Sequence, residues 1–198
     1  MNMIHPIYHN SSTNFRGEVR TTPNGNTYYA TDMGGKFMGG MVAVNAILKL
    51  PTSPSKGGTL VGGAISTGIS YALGNYVDNK RNEHAALATD YIHTVGTNKA
   101  LQTHDRIEVA DNGHLYYNSN DGRKYLTRFG AVAGGVSGLL GAMFTSFVMK
   151  HVPKMPKVPM AGALIAFPIL GAGFGAICGW INGAITDWLN NRSARKHT

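Results

Sequence analysis

Charged residues are absent from four stretches of the chain: Phe37 to Leu48, Gly57 to Val77, Phe129 to Met149 and Val158 to Thr186. The last three reach the roughly 20 residues a helix needs to cross a hydrocarbon layer about 30 Å thick. The first has 12 residues. It spans only if Lys36 and Lys49 snorkel toward the two interfaces. Pro- and Lys-bearing turns, Leu50 to Lys56 and Lys150 to Lys157, join the stretches in pairs, and each pair reads as a helical hairpin. Between the pairs lies a polar segment that begins helically through Glu83 to Ala88 and turns at Asn112-Gly113. The pattern predicts an all-α integral membrane protein of four helices in two tandem hairpins. Its parts are a polar segment 1–32, a first hairpin 33–78, a polar extramembrane linker 79–128, a second hairpin 129–190 and a basic tail 191–198.

An internal repeat supports the same division. Asn24-Gly25-Asn26-Thr27-Tyr28-Tyr29 matches Asn112-Gly113-His114-Leu115-Tyr116-Tyr117 at an offset of 88, and the register continues through Lys36-Phe37 against Lys124-Tyr125. Glu18-Val19 and Glu108-Val109 precede the two blocks, with a two-residue gap between the registers. Further on, Gly74 and Asp78 match Gly183 and Asp187 at a larger offset because the second hairpin is longer. Ordered recurrence of this kind marks a duplicated unit.

Glycine supplies the strongest local signal. Gly171, Gly175, Gly179 and Gly183 recur at every fourth position and leave one helix face without side chains. Gly130, Gly134 and Gly138 followed by Ala142 do the same in the third stretch, Gly58, Gly62, Ser66, Ser70 and Gly74 continue the small-residue pattern in the second, and Gly35, Gly39 and Ala43 in the first. Hydrophobic burial gives little drive to helix association in lipid, so close contact across small-residue faces becomes a main source of packing energy. In water each such glycine would cost about 0.5–1 kcal/mol relative to alanine. The spacing therefore predicts glycine-zipper packing within each hairpin.

Charged residues make up only 14% of the 198, well below a soluble domain's usual share, which agrees with helices facing lipid. The single Cys178 excludes an intramolecular disulfide framework. Met1 to Arg20 carries no apolar run of signal length, so targeting information is expected to be internal. Histidines are scattered, with no metal-ligand spacing around His5 and His9, and the glycine pairs lack the phosphate-loop pattern. No nucleophile motif accompanies His104, Asp105, Asp111 and His114. The expectation is a protein that is not an enzyme and holds no cofactor or metal. A net charge of +8 suits anionic partners. Five lysines on the acid-free turns, Lys49, Lys56, Lys150, Lys154 and Lys157, are expected to anchor at the interface and meet anionic phospholipid such as cardiolipin, rather than nucleic acid.

Two glycine-striped hairpins in about 200 residues resemble the mitochondrial inner-membrane family that contains Tim-type protein-import translocase subunits and a respiratory complex I accessory subunit. The resemblance covers Met33 to Asn191. It rests on Asp121-Gly122-Arg123-Lys124-Tyr125 leading into Phe129-Gly130-Ala131-Val132-Ala133-Gly134, and on the turn Leu50-Pro51-Thr52-Ser53-Pro54. The translocase members' Arg and Asp inside the membrane region lack clear counterparts here, which argues against translocation. The resemblance implies a non-catalytic inner-membrane subunit whose partners are other membrane-protein subunits. The competing expectation is a pore-forming or transport protein, including a membrane-inserting bacterial effector, since glycine zippers suit that role as well.

Overall fold

The computed structural model describes residues 17–151 and 160–197, with side chains at 17–147 and 162–197. The described residues are mostly helical, in five α-helices and two small antiparallel sheets. The first unit holds β1 (Glu18–Thr21), β2 (Thr27–Ala30), α1 (Met33–Lys49), a 3-10 turn (Leu50–Thr52) and α2 (Lys56–Val95). The short α3 (Thr97–Thr103) leads to the second unit: β3 (Ile107–Val109), β4 (Leu115–Tyr117), α4 (Asp121–His151) and α5 (Met160–His197). Four long helices are joined by a fifth short one, and each unit runs strand, strand, helix, helix.

The strands were not anticipated, although their turn chemistry is local. Gly25 and Gly113 adopt φ of 85° and 84°, the left-handed region that glycine enters without steric cost. Gly25 N donates to Thr22 O at 3.0 Å and Gly113 N to Ala110 O at 3.0 Å. Each closes a three-residue loop, Pro23-Asn24-Gly25 or Asp111-Asn112-Gly113, of the kind that joins paired strands. Val19 faces Tyr29, and Ile107 faces Tyr117. The offset of 88 therefore holds without a gap, and Val19 corresponds to Ile107. The expected match of the two Glu-Val pairs is corrected: Glu18 lies opposite Ala30, whereas Glu108 lies opposite Tyr116.

Helix α2 runs 40 residues, straight through the expected boundary at 78. It begins at Ser55, whose hydroxyl accepts from Gly58 N at 3.2 Å, and ends at Gly96 with φ 86°. Its second half lies in a polar headpiece together with the end of α5 and both strand pairs. Tyr29, Ala110, Tyr116 and Ala194 form one small apolar cluster there; Ala88, Ala100 and Ile107 form another.

The two long hairpins leave the headpiece with different seams. In α4–α5 the backbones touch along most of the contact. A Cβ added at Gly134 would lie 2.0 Å from the Gly171 carbonyl oxygen, and one at Gly175 would lie 2.0 Å from that of Gly130. At Gly179 it would meet Leu126 O at 2.1 Å, and at Gly138 Phe167 O at 2.2 Å. Helix α5 continues through Pro168, which also abuts Gly138. In α1–α2 such contact is confined to the headpiece end, where a Cβ on Gly74 would meet Gly34 O at 2.3 Å. Further out, Gly39 faces the Tyr71 side chain and Gly63 faces the Ala46 methyl.

Helices α4 and α5 are the two, among the described residues, that are long and apolar enough to cross a membrane, over Asp121–Phe147 and Gly162–His197. Their most apolar windows are 6% and 0% buried, so they are not core helices of a globular fold. Phe144, Leu170 and Phe174 expose about 70% of their surface.

Candidate functional site

Duplication has placed the same polar device twice in the headpiece. Gly74, Asp78 and Asn82 lie four residues apart on one face of α2, and Gly183, Asp187 and Asn191 repeat the spacing on α5. Gly74 lets α1 approach, and Asp78 then accepts from Gly34 N and Gly35 N, both at 3.0 Å. Gly183 lets α4 approach, and Asp187 accepts from Gly122 N at 2.7 Å and Arg123 N at 2.9 Å. Each carboxylate thus caps the free amides at its hairpin partner's N-terminus, where the helix dipole favours negative charge.

One turn further on, the carboxamides close the preceding loops. Asn82 accepts from Thr31 N and donates to Thr31 O, both at 2.9 Å. Asn191 accepts from Ser119 N at 2.9 Å and donates to Ser119 O at 2.8 Å. These reciprocal bonds tie each strand pair to the helix that returns beside it.

The symmetry breaks where the halves meet. Asn190 donates to Asp78 at 2.8 Å and accepts from Met33 N at 3.3 Å, so α5 reaches the first unit's cap. Arg81 holds the corresponding position in α2, is fully buried, and donates to Tyr29 O at 3.0 Å. Burial lowers its pKa to about 10, partly offset by the nearby Asp78 and Asp121 charges, and it stays protonated at neutral pH. Burial likewise pushes Asp78 up, while its backbone and Asn190 donors pull it down. His84 Nδ1 and Asp121 Oδ2, 2.9 Å apart, link the units a second time.

The loops are held differently. Asp90 accepts from Thr22 Oγ1 at 2.6 Å, Asn26 Nδ2 at 2.7 Å and Asn24 Nδ2 at 2.9 Å, and these donors hold its carboxyl below the usual range. The second loop is met by Arg195, whose Nε donates to Asp111 at 3.0 Å. Chemically these groups bind backbone and one another; Asp78 and Asp187 spend their oxygens as caps, and Asp121 meets Ser119 Oγ and His84.

Of the expected packing glycines, Gly74, Gly130, Gly134, Gly138, Gly171, Gly175, Gly179 and Gly183 sit against the opposite backbone. Gly62 faces open space, and Gly58 meets only the Ser55 side chain of its own cap. This corrects the expected stripe in α2, because the helix turns Gly63 rather than Gly62 toward α1. Lys49 and Lys56 are exposed at the turn between α1 and α2. Lys150 has no described side chain, and Lys154 and Lys157 lie outside the described residues. Ser146 and Asn182, polar positions within the apolar stretches, bond the fourth preceding carbonyl of their own helices.

Sequence reasoning placed Asp78 and Asp187 in the repeat without giving them a task. The Gly-x-x-x-Asp-x-x-x-Asn spacing on both returning helices was the signal available. No family model, curated protein or solved structure matches the chain.

Proposed function

We propose that this protein is a non-catalytic integral membrane subunit that stabilises a larger membrane complex through helix packing. In this reading α4–α5 crosses the bilayer as a pre-paired hairpin, α1–α2 lies beside it with Lys49 and Lys56 meeting anionic headgroups, and the headpiece stays in water. The carrying observation is that almost no residue in the apolar windows of α4 and α5 is buried within the chain. Their glycine faces are already spent on each other, so the outer Phe, Leu and Ile surfaces are left for lipid and partner helices. Two capped, duplicated hairpins tied together at the headpiece suit such a role. The family resemblance extends the proposal to the mitochondrial inner membrane and to a respiratory complex I accessory role.

Alkaline carbonate extraction tests the first step, and retention in the membrane pellet is expected. Native separation in mild detergent tests the second; migration well above the 21.1 kDa chain with other subunits is expected. Release by carbonate overturns the membrane reading. Solute flux from proteoliposomes of the purified chain replaces the accessory role with a pore.

A further inference from the structure

The second unit carries a cleft of about 560 Å³ between the end of α5, the start of α4 and the β3–β4 loop. Four cations line it, Arg123, Arg192, Arg195 and Lys196, against two carboxylates, Asp111 and Asp187. Both carboxylates are occupied. Asp187 caps α4 and lies 3.5 Å from Arg123 Nε, and Asp111 receives Arg195, which leaves Arg192 and Lys196 as the surplus positive charge along one wall. Trp188 lies in the same wall, and the Arg192 guanidinium stands 5.2 Å from its ring centroid.

The duplicated unit is the internal reference. Aligning Asp78 with Asp187 places Glu83, Ala86 and Leu87 of α2 where α5 has Arg192, Arg195 and Lys196. Aligning Gly34 with Gly122 places Gly35 at the position of Arg123. The first unit keeps the carboxylate caps and the asparagine ties of the second with none of these cations, so Arg123, Arg192 and Lys196 are not needed to build the unit, whereas Arg195 also holds its loop through Asp111. Arg192 and Lys196 are also exposed, outside the packed interior.

We propose that this cleft is a binding site for a phosphate monoester or inorganic phosphate. Planar guanidinium groups bind phosphate oxygens in pairs and lysine adds a point charge; the lining carries two positive charges in excess, reduced to one by Glu108 behind Tyr116 and Asn118, which suits an anionic ligand. The phosphate comes from an anionic lipid headgroup or from solution, and the test separates the two.

The full chain in neutral detergent, carrying Trp180→Phe so that Trp188 is its only indole, is titrated with inorganic phosphate. In a parallel arm it is titrated with micelles containing phosphatidic acid or, as a control, phosphatidylcholine, at constant ionic strength. Trp188 emission and calorimetry read the binding. A saturable response to phosphatidic acid alone assigns the lipid source, and saturation by inorganic phosphate alone assigns the soluble one. Arg192→Glu installs the residue the first unit tolerates at this position and is expected to weaken binding about ten-fold or more; Lys196→Leu, by the same logic, weakens it several-fold. Lys99→Glu, an equal charge change on exposed α3, is expected to shift binding by less than about two-fold. Absence of a saturable response to both probes, or an equal loss with Lys99→Glu, overturns the proposal. Carbonate retention reads the membrane proposal independently, so one can fail without the other.

Discussion

The two long hairpins share an N-terminal cap and differ in everything beyond it. In α4–α5 glycine meets backbone oxygen from Gly122–Gly183 out to Gly138–Phe167; in α1–α2 such contact stops after Gly34–Gly74, and side chains take over. The sequence periodicity is similar in both. A glycine every fourth residue is therefore a permission for close approach, and the partner's register decides whether it is used. Where two such stripes face each other, the helices close on backbone. Where a stripe faces Tyr71 or Ala46, they stand apart by a side chain.

The largest expected effect follows from that contrast. Gly175→Leu puts a branched side chain where a single Cβ already falls 2.0 Å from Gly130 O, so the backbones must separate. We expect a loss of more than about 3 kcal/mol in SDS-driven unfolding from mild detergent. Gly62→Leu, in open space, should stay within about 0.5 kcal/mol. Equal losses at the two sites would break the comparison between seams.

The caps sharpen it from the shared side. Asp78→Ala strands the amides of Gly34 and Gly35 and the carboxamide of Asn190, at an expected cost of about 2–3 kcal/mol. Asp187→Ala strands two backbone amides and no cross-unit partner, at about 1–2 kcal/mol. A double-mutant cycle of Asp78→Ala with Asn190→Ala should show coupling of about 1 kcal/mol between the units; Asp187 has its side-chain partner, Arg123, within its own hairpin, so no cross-unit cycle there should match it.

A smaller effect tests the side-chain seam. Gly63→Ala brings a methyl within 2.5 Å of the Ala46 methyl and should destabilise by about 1 kcal/mol. Adding Ala46→Gly should restore the loss, since it returns the same volume from the other helix.

The smallest effect lies in the loops. Asp90 has its pKa lowered by three side-chain donors, so its hold on the first loop is full above the unfolded carboxylate value of about 3.9 and fades as pH falls through the lower folded value. Amide protection factors in residues 22–26, with the intrinsic pH dependence of exchange divided out, should fall below about pH 4. Asp90→Asn should remove that dependence. The second loop, held by the exposed Arg195–Asp111 pair, should respond more to salt.

Much of this organisation is legible along the chain. Uncharged stretches mark the helices, since length and charge along the chain need no information from elsewhere. The Tyr-Tyr and Asn-Gly recurrence marks the duplication. The strands were missed because three or four residues give little periodicity, although Asn-Gly between short β-forming runs was sufficient to suggest them. The cleft was missed because Arg123 and Arg192 are 69 positions apart and become neighbours only when α4 folds back on α5.

Composition and spacing by themselves determined that the chain is helical, duplicated, apolar over long spans and able to pack closely at glycine. These follow from length, charge and period, which are local quantities. Which glycines touch backbone, that Asp78 and Asp187 cap a neighbouring helix rather than their own, and that one unit gathers four cations were decided by tertiary structure. Each depends on the rotation and register of one helix against another. A shift of one residue turns a helix by about 100°, enough to exchange Gly62 for Gly63 at the contact.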